Sequence, residues 1–200
     1  MVGILFLWHD IRCLIYTSVR DGDLTKTPKL LTSIACGIPI VTDKWLFDSA
    51  KAGHFLATLA YIPSIPKQEK EWNIKLSQII GHPQKPFQGY TIHFTSSLKA
   101  IYKPFTDIEN VCKAAGAKKV TSTRMDKSGN IVVLAKDEQD PDMDKFMQES
   151  ITCYNRDLIT QSIIRGYVDL QSPEFQITPE DNNAYVSKET KTKKQGRKSK

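Results

Sequence analysis

Residues 38–53 and 151–166 are two copies of one pattern: a short apolar run, an amphipathic helix and a closing glycine. Laid over each other, Thr42 falls on Asn155, Trp45 on Leu158, Ser49 on Ser162 and Gly53 on Gly166. A repeat of this kind means that one supersecondary unit is built twice, and it restricts the chain to architectures in which the unit recurs. The 200 residues leave room for two small domains of about 90 residues each.

The second unit gives the clearer pattern. Tyr90, Ile92 and Phe94 alternate with Thr91 and His93, as in a strand. Ile108, Val111, Cys112 and Ala115 then follow the i, i+3, i+4, i+7 spacing of an amphipathic helix, which Gly116 ends. A short strand is expected near Val120, and a turn at Lys127, Ser128, Gly129 and Asn130. Residues 131–135 (IVVLA) are apolar on both faces, the mark of an interior parallel strand. Asp140-Pro141 starts a short helix with Met143, Phe146 and Met147 inward, and residues 151–154 form a fourth strand. Asn155 caps a last helix whose Leu158, Ile159, Ser162 and Ile163 face the sheet. The order β-α-β-β-α-β-α over residues 87–171 predicts a four-stranded parallel sheet with three helices.

The first unit, residues 1–66, repeats the second half of that order. An apolar opening run over residues 2–8 reads as a buried strand, and residues 13–17 as another. Thr27 is an N-cap with Pro28 at the first helical position. Leu30, Leu31, Ile34 and Ala35 make the helix stripe, and Gly37 ends it. Residues 38–41 form the next strand, and Thr42 caps a helix carrying Trp45, Leu46 and Ser49. Residues 67–86 read as a polar linker with a weak apolar patch at Ile74, Leu76, Ile79 and Ile80. From Ser172 to residue 200 the composition is that of a disordered tail, too poor in apolar anchors to offset the entropy of ordering it.

The net charge of +6 is local. Residues 188–200 hold seven Lys or Arg and one Glu, so the rest of the chain is neutral. Attraction for nucleic acid is therefore a weak, nonspecific property expected of the tail, not of a basic groove. No apolar stretch approaches the roughly 20 residues of a membrane helix, and the opening run lacks the charged start and cleavage site of a signal peptide. An intracellular chain without membrane contact is expected. Cys13, Cys36, Cys112 and Cys153 are scattered, and His9, His54, His82 and His93 stand apart from them. Clustered ligands are lacking, so no metal site or cofactor is expected. The acidic group Asp137, Glu138, Asp140, Asp142 and Asp144 lacks the glycine and twelfth-position glutamate of a calcium loop, and suits a helix start instead. No nucleotide-loop, serine-hydrolase or zinc-protease motif is present, so an enzyme is not expected. Ser172-Pro173 and Thr178-Pro179 fit proline-directed phosphorylation.

The run GIPIVTDKWLFDSAKAG from Gly37 to Gly53 resembles the most recognisable stretch of the BRCT family, a strand followed by a helix with a buried tryptophan. The run FQGYTIHF from Phe87 to Phe94 resembles the family's opening strand, and Ala115-Gly116-Ala117 its glycine turn. Over residues 11–170 the chain resembles a tandem BRCT pair, in particular the C-terminal pair of fungal multi-BRCT repair scaffolds. The resemblance implies an α/β fold of two repeats, each a small parallel sheet flanked by helices. Leu158 replaces the usual tryptophan of the second repeat. Residues 3–7 fall where the first repeat's second strand belongs, so that repeat is expected to lack its first strand and helix, and the chain to be a fragment.

The resemblance further implies a non-catalytic, nuclear scaffold of the DNA damage response and replication-fork repair. Its partners would be phosphorylated proteins, such as a phosphorylated histone tail, and other repair scaffolds. Phosphate in such pairs meets a hydroxyl ending the first strand, a backbone N–H and a lysine of the second helix, which matches Lys29. Independently of the family, Thr27 caps a helix whose first turn offers N–H donors and partial positive charge, and Lys29 adds a full charge. The competing reading is an ordinary cap with a solvated lysine. Lys26, Leu31, Lys103 and Phe105 match positions lining the peptide groove; Phe105 alternatively packs on its own helix. With the first-strand donors absent, phosphopeptide binding by this chain is expected to be weak. The alternatives are nucleic-acid or chromatin binding through the basic tail, and a truncated remnant without phosphate binding.

Overall fold

The computed structural model describes residues 4–8, 11–16, 24–123 and 129–178. Thr17, Lys127, Ser128 and the basic residues 188–200, all given roles above, lie outside them.

In the second repeat, strands β4 (Thr91–Phe94), β5 (Lys119–Thr121), β6 (Ile131–Leu134) and β7 (Cys153–Tyr154) are mutually parallel in the order β5-β4-β6-β7. The expected interior strand is β6, with Val132, Val133 and Leu134 and the following Ala135 fully buried. Helices α5 (Ser96–Ile101) and α6 (Phe105–Ala114) follow β4, α7 (Met143–Gln148) joins β6 to β7, and α8 (Asp157–Arg165) follows β7. Long crossover connections of this kind are what parallel pairing requires.

Three expectations for this repeat need correction. The sheet has a fifth strand, β8 (Gln176–Ile177), antiparallel to β7. It lies inside the segment read as tail from Ser172, because Phe175, 1% exposed, anchors it in the core. The helices number four among the described residues, since the Thr95 hydroxyl accepts from the Leu98 N–H at 3.2 Å and starts the additional helix α5. Met147 is 40% exposed, not inward, while Met143 and Phe146 are buried.

The first repeat contains β1 (Ile4–Trp8), β2 (Ile11–Tyr16), α1 (Pro28–Cys36), β3 (Ile40–Thr42), α2 (Lys44–Ala52) and a 3-10 turn (Thr58–Tyr61). β2 and β3 are parallel, as expected. β1 is not a parallel second strand: it pairs antiparallel with β2, on the side away from β3. Two residues join β1 to β2, and so short a connection permits only a hairpin. Trp45 on α2 is 2% exposed and packs with Ile15, Val41, Leu56 and Tyr61. Thr42 does not cap α2; the cap position is Asp43, with no side-chain bond. Leu46 points outward.

The linker expectation also fails. Residues 67–86 carry α3 (Pro66–Trp72) and α4 (Leu76–Ile79). Trp72, Leu76 and Ile80 are buried in the core shared by both repeats. Pro66 opens α3, and Asn73 ends it in the left-handed region at φ 55. The Glu69 carboxylate accepts from the Leu76 N–H at 2.8 Å and so ties the two helices together. This bond and Lys75 hold the Glu69 carboxyl below its ordinary range.

Candidate functional site at the repeat junction

Helix α1 joins the two repeats. It packs against α6 and α8, and Leu30, Leu31, Ile34 and Ala35 share one core with Ile108, Val111, Cys112, Leu158 and Ile163. Its stripe is therefore consumed by the other repeat, which fixes the first turn beside the start of α6.

That turn is well capped. Thr27 is extended (φ −76, ψ 156), and its hydroxyl oxygen accepts from the Leu30 N–H at 3.2 Å. Pro28 follows at the position where a missing N–H costs nothing. Gly37 closes the helix at φ 69; a Cβ there would come within 2.6 Å of Pro83 N. Lys29 is exposed on the first turn and borders a cleft of about 260 Å³ between α1 and α6. Pro28, Thr32, Ser33 and Ile38 line the same side, and Asp107 and Asn110 the opposite one. The cleft therefore has a lysine at a helix N-terminus on one wall and a carboxylate and an amide on the other.

The other expected groove residues lie elsewhere. Leu31 is 3% exposed and buried in the shared core, because its position on α1 faces the other repeat. Lys26 lies with its Nζ 5.3 Å from the centre of the Trp72 ring, beside a second hollow of about 390 Å³ also lined by Leu24 and Glu71. Lys103 is exposed and outside both cavities. Phe105 packs edge-on against Phe94 of β4 at 5.1 Å, with the Lys99 ammonium of α5 5.4 Å from its ring, so these contacts lie on neighbouring elements and not on its own helix. Asp107, Asn110 and Trp72 were not anticipated. Asp107 and Asn110 are one turn apart on the polar face of α6, a spacing that alone carries no signal.

Among the described residues no group of His, Cys, Asp and Glu is placed to hold a metal ion. No described helix is long and apolar enough to cross a membrane.

No protein-family model matches the chain. Among curated proteins, the DNA damage response protein Mdb1 of Schizosaccharomyces pombe is 25% identical over 148 residues, covering 73% of this chain and 23% of Mdb1. The Mediator of DNA damage checkpoint protein 1 of Rattus norvegicus is 30% identical over 91 residues, covering 44% of this chain and 7% of that protein. The chain thus spans less than a quarter of either relative. The BRCT5-BRCT6 domains of S. pombe Brc1 superpose with a TM-score of 0.61 at 19% identity, covering 78% of this chain and 80% of that one. Residues 820–1070 of Rtt107p superpose with a TM-score of 0.55 at 17% identity, covering 78% and 73%. Rtt107p in a complex with a phosphorylated histone gives 0.54. At these identities the likeness establishes architecture, and the chain has the fold of a tandem BRCT pair.

Proposed function

We propose that this chain is a non-catalytic phosphopeptide-reading module of a nuclear DNA-damage-response scaffold, with a phosphorylated protein tail as its ligand. The observation that carries the reading is the first turn of α1, capped by Thr27, with Lys29 bordering the cleft between the repeats. An ammonium beside the positive end of a helix dipole suits a phosphate. The cleft beyond Lys29 gives the residues flanking the phosphate a wall on each repeat, so affinity requires both. The names of the relatives and the histone complex of Rtt107p support the same reading. Residues that bind and position account for this activity without a catalytic group.

A second reading rests on the charge of residues 188–200, which are basic enough to grip a nucleic-acid backbone. Fluorescence anisotropy with a phosphoserine peptide, its unphosphorylated twin and a DNA duplex separates the two. The phosphopeptide reading predicts tighter binding of the phosphorylated form, unaffected by deleting residues 188–200. Equal affinity for both peptides, with salt-sensitive DNA binding lost on that deletion, would favour the second reading.

A further inference from the structure

Residues 83–88 cross the C-terminal ends of three helices in one pass. The Gln84 N–H donates to the Ala35 carbonyl in the last turn of α1 at 3.1 Å, and Pro83 lies against Gly37, which ends that helix. The side-chain carbonyl of Gln84 abuts Gly166, which ends α8. The Lys85 ammonium donates to the Ala114 carbonyl at the end of α6, and the Phe87 N–H to the Ala115 carbonyl at 3.1 Å. Gln88 pairs with Ala117, and a Cβ on Gly116 would come within 3.1 Å of its side chain. Each helix is thus followed by a glycine against which this segment lies, and a side chain there would displace it.

These are the helices through which the repeats meet: α1 of the first packs on α6 and α8 of the second. The core they share is apolar, with Leu31, Ile34, Val111 and Ile163 in it. Apolar contact has no direction, and packed helices can shear past one another. Hydrogen bonds and close steric contacts do have direction. Residues 83–88 supply them on both sides of the junction, to α1 through Pro83 and Gln84, and to α8 and α6 through Gln84, Lys85 and Phe87. Lys85 also sets a positive charge at the negative end of the α6 dipole. The cleft carries Lys29 on the first turn of α1 and Asp107 on the first turn of α6. Its width therefore follows the angle between those two helices.

We infer that residues 83–88 are a strap that holds α1 at a fixed angle to α6, with Pro83, Gln84 and Lys85 as positioning residues for the peptide the cleft takes. The inference rests on the phosphopeptide reading of that cleft given above. None of residues 83–88 lines the cleft, so the strap acts on the ligand through helix geometry alone. A phosphate held on the α1 wall does not sense the angle. The residues flanking it, which reach the α6 wall, do.

The test inserts two glycines between Gln84 and Lys85 in the full chain. Each half of the strap keeps its own bonds, the fixed spacing between them is lost, and so short a lengthening of a loop costs little. Residual dipolar couplings of the α1 and α6 amides read the helix angle without a ligand. One alignment tensor should fit both helices in the wild type, and two should be needed in the insertion variant. Isothermal titration then compares a phosphoserine peptide with amide-capped phosphoserine. The insertion should weaken the peptide by about threefold to thirtyfold and leave the capped amino acid unchanged. Should the insertion variant fail to fold, Lys85→Met carries the test: it loses only the ammonium of an exposed residue and should weaken the peptide by about threefold, again sparing capped phosphoserine. A single tensor in the insertion variant, an unchanged peptide affinity, or an equal loss for both ligands would overturn the inference. A wild type that binds neither ligand would instead sink the reading of the cleft, and the couplings would still decide for or against the strap.

Discussion

The indole N–H of Trp45 donates to the Leu56 carbonyl at 2.8 Å, across the glycine that ends α2. The bond fixes the return of the chain after α2, and Phe55 stacks on the indole at 5.5 Å with 7° between the planes. Ser49 adds a second tie, its hydroxyl oxygen accepting from the Leu56 N–H at 3.2 Å. Trp45→Ala should therefore cost about 3–5 kcal/mol, and Trp45→Phe less, because it keeps most of the buried ring while losing the bond. Urea denaturation measures both; an unchanged midpoint for Trp45→Ala would show that the first repeat does not depend on this residue.

The stretch between the repeats behaves as core, and its stability effects should say so. Trp72 is 3% exposed and carries Lys26 over its ring. Trp72→Ala should cost about 3–5 kcal/mol, as much as a residue inside either repeat. A flexible linker would tolerate the change, so a loss under about 1 kcal/mol would contradict the packed connector.

How much of this was legible in the sequence depended on how an element is held. The strands and helices of the second repeat that pack through a periodic apolar face, around Val111 or Ile163, were readable from spacing. So was the repeat, because Trp45 and Leu158 stand at one position of a common pattern. Elements held by one large side chain were not: α3 hangs on Trp72 and β8 on Phe175, each within polar sequence that reads as loop. The direction of β1 depends on connection length, and its apolar run looks the same in either orientation. At the site, the cap and charge of Thr27 and Lys29 were local and readable. The partners Asp107 and Asn110 reach the cleft only through the packing of α1 on α6.

Burial holds the imidazole of His93 below its ordinary pKa, with Lys145 reinforcing the shift and Asp142 opposing it. The ring is 5% exposed, contacts Phe146 at 5.3 Å, and its Nδ1 has no hydrogen-bond partner. The unfolded chain takes up the proton first, near pH 6.5. Stability from the neutral ring is thus complete above that pH and declines as pH falls toward the folded-state value. His93→Phe should lose less stability than the wild type between pH 7 and pH 5. Thermal melts at the two pH values check this, and equal losses would contradict it.

Thr95 carries two duties, donating to Asp140 and capping α5. Thr95→Val should cost about 1–3 kcal/mol, because a buried carboxylate is left short of a donor at unchanged side-chain volume. Thr95→Ser should recover most of it. If Thr95→Val matched the wild type in denaturant, the Asp140 network would not be holding the end of β4.

The central claim is that the first turn of α1 reads phosphate through Lys29. Isothermal titration of the wild type and Lys29→Ala with a phosphoserine peptide and its unphosphorylated twin tests it most directly. Hydrogen bonds to charged groups contribute about 1.5–3 kcal/mol, so Lys29→Ala should weaken the phosphorylated peptide by at least about tenfold. It should leave the unphosphorylated one and the melting temperature unchanged, because Lys29 is exposed. Equal affinity of the wild type for the two peptides, or a preference for phosphate that survives Lys29→Ala intact, would contradict the account.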